Sequence, residues 1–329
     1  MRAAWYERKG PARDVLQVGE LETPVPGPGE VRVRIHASGV NPSDTKNRSG
    51  WRGNVAMPFP RIIPHQDGAG VIDQVGDGVP AARVGERVWV YEAQLGRPFG
   101  TAAEYVVVPS PNAVRLPDST SFAEGACLGV PALTAHYAVF ADGAVAGKRV
   151  LVAGGAGAVG GYAIQLAKWG DATVIATVSS AEKAAVARAL GADHVINYRE
   201  EDVVERVRAW TSGAGVHRVI EVALGVNLPI DVALLEPGGT IAAYSSDAEP
   251  EPRVPFSTLL RKNAALRFVY VYGMGQAAHD AAIADVMRCL EANALRHIIH
   301  GHFSLDEIAA AHEAVESGTA VGKVVLDLA

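Results

Sequence analysis

VLVAGGAGAVGG, residues 150–161, decides the fold. An apolar, β-branched run from Arg149 to Ala153 enters a glycine-rich turn, and a helix-forming run from Tyr162 to Trp169 leaves it. Gly155, Gly157 and Gly160 fit G-x-G-x-x-G, a pattern that carries weight only between a strand and a helix. A turn without Cβ atoms lets backbone N–H groups approach a pyrophosphate, and the following helix N-terminus adds the positive end of its dipole. Gly155, Gly157, Ala158, Val159 and Gly160 are therefore the expected dinucleotide contacts. A plain tight turn in an α/β domain is the competing reading.

The next strand, Thr173–Val178, indicates which dinucleotide. An NAD enzyme places an Asp or Glu on the ribose hydroxyls roughly 20 residues after the fingerprint. Ser179 and Ser180 stand there instead, followed by Lys183. Hydroxyls and an ammonium can hold a 2′-phosphate that a carboxylate would repel. Glu182 is the objection, but Ser179-x-x-Glu182 reads as a capping box that turns the carboxylate back on the backbone. NADPH is the predicted cofactor, with a solvated helix lysine the alternative for Lys183.

Outward from this centre, strand and helix alternate. Strands are expected at His194–Ile196, Arg218–Val222 and Thr240–Tyr244, as a doubly wound parallel sheet requires. Arg267–Tyr272 reads as a sixth strand, whose exposed edge predicts a homodimer paired through it. Before residue 110 the chain reads instead as short strands broken by Gly and Pro. Val31, Val33, Ile35 and Ala37 alternate towards a core, with further strands at Gly70–Val75, Arg87–Val90 and Ala103–Val108. Helices are expected over Ser121–Leu128, Pro131–Phe140, Ala277–Ala292 and Ser304–Ser317, and a closing strand over Gly322–Leu328.

The 329 residues suggest about two domains, and 49% apolar residues with 35 glycines suit a globular, turn-rich chain. A formal charge of −6 offers no basic surface for nucleic acid or anionic membrane. Two cysteines, Cys127 and Cys289, exclude a disulfide scaffold and suit a reducing compartment. Without a signal-like apolar core or a run of about 18 apolar residues, the cytoplasm is the expected location.

Several further stretches carry a family resemblance: ASGVNPSDTKNRSG (37–50), PHQDGAGVIDQVGDGV (64–79), VGERVW (84–89), GVPALTAHYAV (129–139), GADHVINYREED (191–202) and the terminal GKVVL. With the fingerprint, they resemble the medium-chain dehydrogenase/reductase superfamily and, within it, the zeta-crystallin-like quinone oxidoreductase branch. The resemblance implies a GroES-like β-rich catalytic domain over 1–125 and 275–329. A Rossmann dinucleotide-binding domain would occupy 126–274.

Zinc-containing members of the superfamily take ligands where Asn41 and Gln66 stand here, with the third position near Val130 and Cys127 three residues away. His65 is displaced by one residue, which in an extended segment turns a side chain to the opposite face. Tyr91 to Gly100 lacks the cysteines of a structural zinc lobe. No metal is expected, and His297, His300 and His302 read as structural or surface residues.

Without a metal to polarise an alcohol, the resemblance implies hydride transfer from NADPH to an acceptor already electrophilic. A quinone comes first, with an enone or alkenal as alternative. A non-catalytic NADPH-binding, crystallin-like role is the reading of another class. Asn41 and Thr134 are implied beside the nicotinamide, though Asn41 also suits an Asx turn and Thr134 a back-bonded helix position. Tyr198 is implied as a 2′-phosphate contact, and Tyr244 and Ser245 at the nicotinamide end. Asp67, Gly68 and Glu221 read as architectural. Lys46 and Trp51-Arg52 replace tyrosines of the substrate loop, and Trp51 could offer a stacking face or cover the core. Arg52 and Arg97 would favour a negatively charged acceptor, and Tyr91 and Tyr137 are weak proton-donor candidates.

Overall fold

The computed structural model describes residues 1–53 and 56–328, and nothing of the Arg52 side chain. The chain divides into two compact units, Met1–Val130 with His297–Ala329, and Pro131–Arg296. The helix Gln276–Glu291 therefore belongs with the second unit, although the sequence boundary fell at 274/275.

In the second unit six parallel strands run, in the order of their appearance along the chain, 3-2-1-4-5-6. The fingerprint strand Arg149–Val152 is strand 1, flanked by Thr173–Val178 and Val216–Glu221. This is the doubly wound arrangement, with its switch point beside strand 1. Val150, Val152, Val174 and Ala176 are fully buried, as expected where helices cover both faces of a parallel sheet. Burying one such valine contributes roughly 1.5–3 kcal/mol.

The sixth strand is shorter than the sequence suggests. It covers Ala265–Phe268, and Val271–Gly273 forms a 3-10 turn. Its partner Leu235–Ala243 ends at the Ala243–Phe268 pair, so the chain beyond Val269 has no ladder to join.

The first unit carries a seven-stranded sheet built on the long strand Glu30–Val40. That strand pairs with Asp67–Val75, Tyr105–Pro109 and the closing strand Lys323–Asp327. Val31, Val33, Ile35 and Ala37 are all buried, as their alternation predicts. Met1 to Glu20 adds a separate two-stranded ladder. Among the described residues no helix is long and apolar enough to cross a membrane.

Glu221, at the end of the fourth parallel strand, is architectural as expected. Its carboxylate accepts from the Ala223 backbone N–H and, at 3.0 Å, from the Asn227 side chain. Its Oε2 and the Oδ2 of Asp231 have no other partner, and both residues are buried. A proton kept on Asp231, whose pKa burial and the Glu221 charge push far upward, satisfies both oxygens. Unfolding then releases that proton above the ordinary carboxyl range of about 4, so stability falls as pH rises from there. An Asp231→Asn side chain donates to Glu221 at every pH. Urea unfolding from pH 4 to 9 should show the variant gaining on the parent as pH rises, and parallel profiles would refute the shared proton.

Candidate functional site

The fingerprint strand ends at Val152, Gly154 in the turn adopts φ +66, and the helix Ala158–Trp169 follows the turn. A Cβ on Gly160 would stand 2.3 Å from the Gly154 carbonyl oxygen, so only glycine lets this helix begin so close to the strand end. Gly157 is its N-cap and supplies no side-chain acceptor, which leaves the first amide N–H groups to a ligand. Gly155, Gly157, Ala158, Val159 and Gly160 thus form one turn at the carboxyl end of the sheet. The cradle fits a dinucleotide pyrophosphate.

The second strand ends beside it. Ser180, and not Ser179, caps the next helix, its hydroxyl accepting from the Lys183 N–H at 3.2 Å. The expected Ser179–Glu182 box does not form, because the backbone stays extended through Ser180 and the helix starts at Ala181. Glu182 is exposed at the second helical position. The Ser180 hydroxyl keeps its own proton to donate, and the half-buried Lys183 lies one turn inside the helix. Tyr198 follows the third strand, its N–H donating to the Val178 carbonyl, so that it lies opposite Ser179 in register. Its ring is half exposed, and Arg199, which the motif reading passed over, is the next exposed residue.

Tyr244 and Ser245 leave the fifth strand at the same end of the sheet. The Tyr244 N–H donates to the Glu221 carbonyl, and the Ser245 hydroxyl to Asp247 at 3.1 Å. Burial raises the Tyr244 phenol, which stays neutral. Thr134 is buried on the helix Gly129–Phe140. The Tyr137 hydroxyl accepts from the Arg267 guanidinium at 3.5 Å. The Tyr137 ring lies under that guanidinium, which itself pairs with Asp142.

Asn41 belongs to the first unit and is buried in a network centred on Asp67. Asp67 Oδ2 accepts from Asn41 Nδ2 at 2.8 Å and from the Lys323 ammonium at 2.7 Å, while Oδ1 accepts from the Val130 N–H at 2.9 Å. Lys323 also donates to Asn41 Oδ1. Lys323 and Asp67 side chains are 3% and 0% exposed, so this is a desolvated ion pair closed by hydrogen bonds. Next to it burial and the Asp67 charge push Asp44 up to about 7, although its Oδ2 accepts from the Asn41 N–H.

The arrangement bears on the metal question. An ammonium sits between the Asn41 and Asp67 side chains, and among the described residues no three of His, Cys, Asp and Glu converge. The donor set does not fit a zinc ion. His65, held at φ +81, faces away from Gln66: Nδ1 meets Ser38 and Nε2 meets His312 at 2.9 Å. Burial holds both imidazoles neutral, His312 at about 3. Cys127 is buried, and burial pushes its thiol up to about 12. His302 pairs with Asp327 at 3.0 Å, and His300 accepts from the Val321 N–H.

A cavity of about 430 Å³ opens in the first unit. Ile62, Met57, Phe59 and Leu95 supply apolar wall, and Tyr6, Lys9 and Gln66 supply polar groups. Gln66 is buried and braced by Gln94, whose N–H donates to its carbonyl at 3.1 Å. Tyr6 and Lys9 lie just beyond the strand Arg2–Trp5, in a segment without a sequence motif. Burial first, then the Asp44 charge, raises the Tyr6 phenol. Tyr91, by contrast, packs against Trp89 and is not in the cavity wall. Trp51 has the Lys46 ammonium 4.7 Å from its ring centre, so that stacking face is taken. Arg97 pairs with Glu30 at 2.9 Å and cannot serve as a free anion site. The Arg52 side chain lies outside the described residues.

Replacing Lys323 with Met leaves Asp67 buried and unpaired, which should cost about 3–5 kcal/mol of unfolding free energy. Adding Asp67→Asn should recover part of that loss in denaturant titrations. A Lys323→Met chain as stable as the parent would show that the pair is not a structural tie.

Two family models match: "Alcohol dehydrogenase GroES-like domain" over residues 27–118 and "Zinc-binding dehydrogenase" over 158–290. Human quinone oxidoreductase is 30% identical across 98% of this chain and 95% of that protein. A Burkholderia 2-haloacrylate reductase is 31% identical across 99% and 98%. Among solved structures, Escherichia coli quinone oxidoreductase complexed with NADPH superposes with a TM-score of 0.87 at 26% identity, covering both chains completely. The 3-2-1-4-5-6 sheet with its glycine turn, the β-rich first unit and full-length likeness agree: the chain belongs to the quinone oxidoreductase branch of the medium-chain dehydrogenase/reductase superfamily.

Proposed function

We propose that this chain is an NADPH-dependent oxidoreductase that passes hydride to a quinone-type acceptor without a metal ion. The observation that carries the reading is the pair of serines at the end of the second strand, where an NAD enzyme needs a carboxylate. Ser179, Ser180, Lys183 and Tyr198 take the 2′-phosphate, and the turn from Gly155 to Gly160 takes the pyrophosphate. The Escherichia coli neighbour, solved with NADPH, supports the same cofactor.

The bound cofactor supplies the hydride. The chain's own residues position, exclude water and hold protons. Tyr244, Ser245 and Thr134 serve the nicotinamide end. Asn41 serves it as well, with its side chain braced by Asp67. The acceptor occupies the cavity against Ile62, Met57 and Phe59, where the neutral Tyr6 phenol is a hydroxyl within the wall. A conjugated double bond is the second acceptor class, supported by the Burkholderia relative.

We further propose a homodimer built on the edge strand Ala265–Phe268. One side of that strand has no partner among the described residues, and Phe268 and Tyr270 are 72% and 67% exposed. Exposed aromatics on an open edge favour pairing. Sedimentation of Phe268→Glu should give half the parent's mass, and an unchanged mass would reject this edge as the interface.

Steady-state rates should favour NADPH over NADH. Losing one charge-assisted contact costs about 1.5–3 kcal/mol, so Lys183→Met should lower kcat/KM for NADPH roughly 10- to 100-fold and leave NADH nearly unaffected. NADPH should be consumed only after a quinone is added. Equal efficiency with both cofactors, or no consumption with any acceptor, would overturn the proposal.

A further inference from the structure

The cavity has a distinct electrostatic character. Its wall is apolar apart from Tyr6, Lys9, Asn47, Gln66 and Gln94, and no Asp or Glu contributes to it among the described residues. Lys9 is its cationic residue, and the side chain is half buried. Among the described residues no ion pair or hydrogen bond occupies its ammonium. Several other cations of this unit are tied up, and Arg34 and Arg115 are exposed residues outside the cavity wall. Lys323 is tied to Asp67, Arg97 to Glu30, Arg48 to Glu316 and Arg61 to Glu7. Lys46 lies over Trp51.

A half-buried ammonium without a counter-ion, beside an apolar wall, is a place for an anionic ligand group, since burial strengthens its field. The polar amides add little competing charge. Gln66 and Gln94 are largely spent on each other, and Gln94 also donates to the Arg97 carbonyl. Asn47 and the Tyr6 hydroxyl remain as neutral donors. At about 430 Å³ the cavity lies near the lower end of small-molecule sites, which favours a compact acceptor.

We infer that, within the second acceptor class, the chain selects a short, conjugated carbonyl compound bearing a carboxylate, with its anionic end at Lys9 and its apolar body against Ile62, Met57 and Phe59. This rests on the NADPH-dependent hydride transfer proposed above. The acceptor's carbon–carbon double bond gains a hydride at one carbon from NADPH and a proton at the other from solvent. The bond becomes single, the carboxylate is unchanged and NADP⁺ is released. The ammonium does not take part in bond making. Its role is to select and orient, which makes Lys9 a specificity residue.

The test uses the full-length protein, saturating NADPH and two acceptors of equal size, 4-oxo-2-pentenoate and its primary amide. The parent should prefer the carboxylate in kcat/KM. Lys9→Met should lower the carboxylate-to-amide ratio about tenfold, equivalent to ~1.4 kcal/mol, chiefly through KM. Lys9→Arg should keep most of the ratio, and raising salt should erode it in the parent. An unchanged ratio in Lys9→Met, or a parent that prefers the amide, overturns the inference. Reduction of 1,4-benzoquinone but of neither pentenoate probe overturns it too and leaves the proposed function standing. NADPH untouched by all three acceptors removes the proposed function itself.

Discussion

The second unit depends on a single close approach. The helix after the fingerprint begins where Gly160 passes the Gly154 carbonyl at a separation that no Cβ tolerates. That approach aligns free helix amides with the carboxyl ends of the parallel strands, where the sheet order switches. Ser179, Tyr198 and Tyr244 reach the same sheet end because their strands are in parallel register with the first. The glycine turn and the residues that leave the neighbouring strands share one end of the sheet as consequences of one backbone geometry.

The first unit answers a different constraint, the placement of charge away from water. Asp67 is fully buried and needs every one of its partners. Asn41, Val130 and Lys323 satisfy its oxygens, and the Thr101 hydroxyl donates to its backbone carbonyl at 2.6 Å. Asn41 and Gln66 stand at positions where zinc-containing members of the superfamily carry ligands. Here the ammonium of Lys323 supplies the positive charge beside Asn41 and Asp67. A fixed cation bonded to two acceptors cannot act as a Lewis acid.

Legibility in the sequence followed the range of the interactions. Thr173–Val178 and Arg87–Val90 matched their strands residue for residue, because β-branched periodicity is a local property. The sixth strand covers Ala265–Phe268 where periodicity predicts Arg267–Tyr272, since both of its ends are set by its partner strand. The helix cap was assigned to Ser179, yet Ser180 holds it, because pairing with the neighbouring strand keeps the chain extended one residue further. Arg97 looked available for an anion until Glu30, distant in sequence, proved to be its partner. Tyr6 and Lys9 carried no motif and enter the cavity wall only through folding.

The sequence alone determined the doubly wound sheet, the glycine turn, the missing carboxylate after the second strand and the full-length family likeness. Each is written in neighbouring residues whose backbone preferences and side-chain chemistry act over a few positions. Tertiary structure decided which charges are spent and which are left over. Lys323 and Lys9 are the same residue type, but one is bonded to a buried aspartate and the other lines a cavity. That difference depends on contacts between segments remote along the chain, which local propensity does not encode.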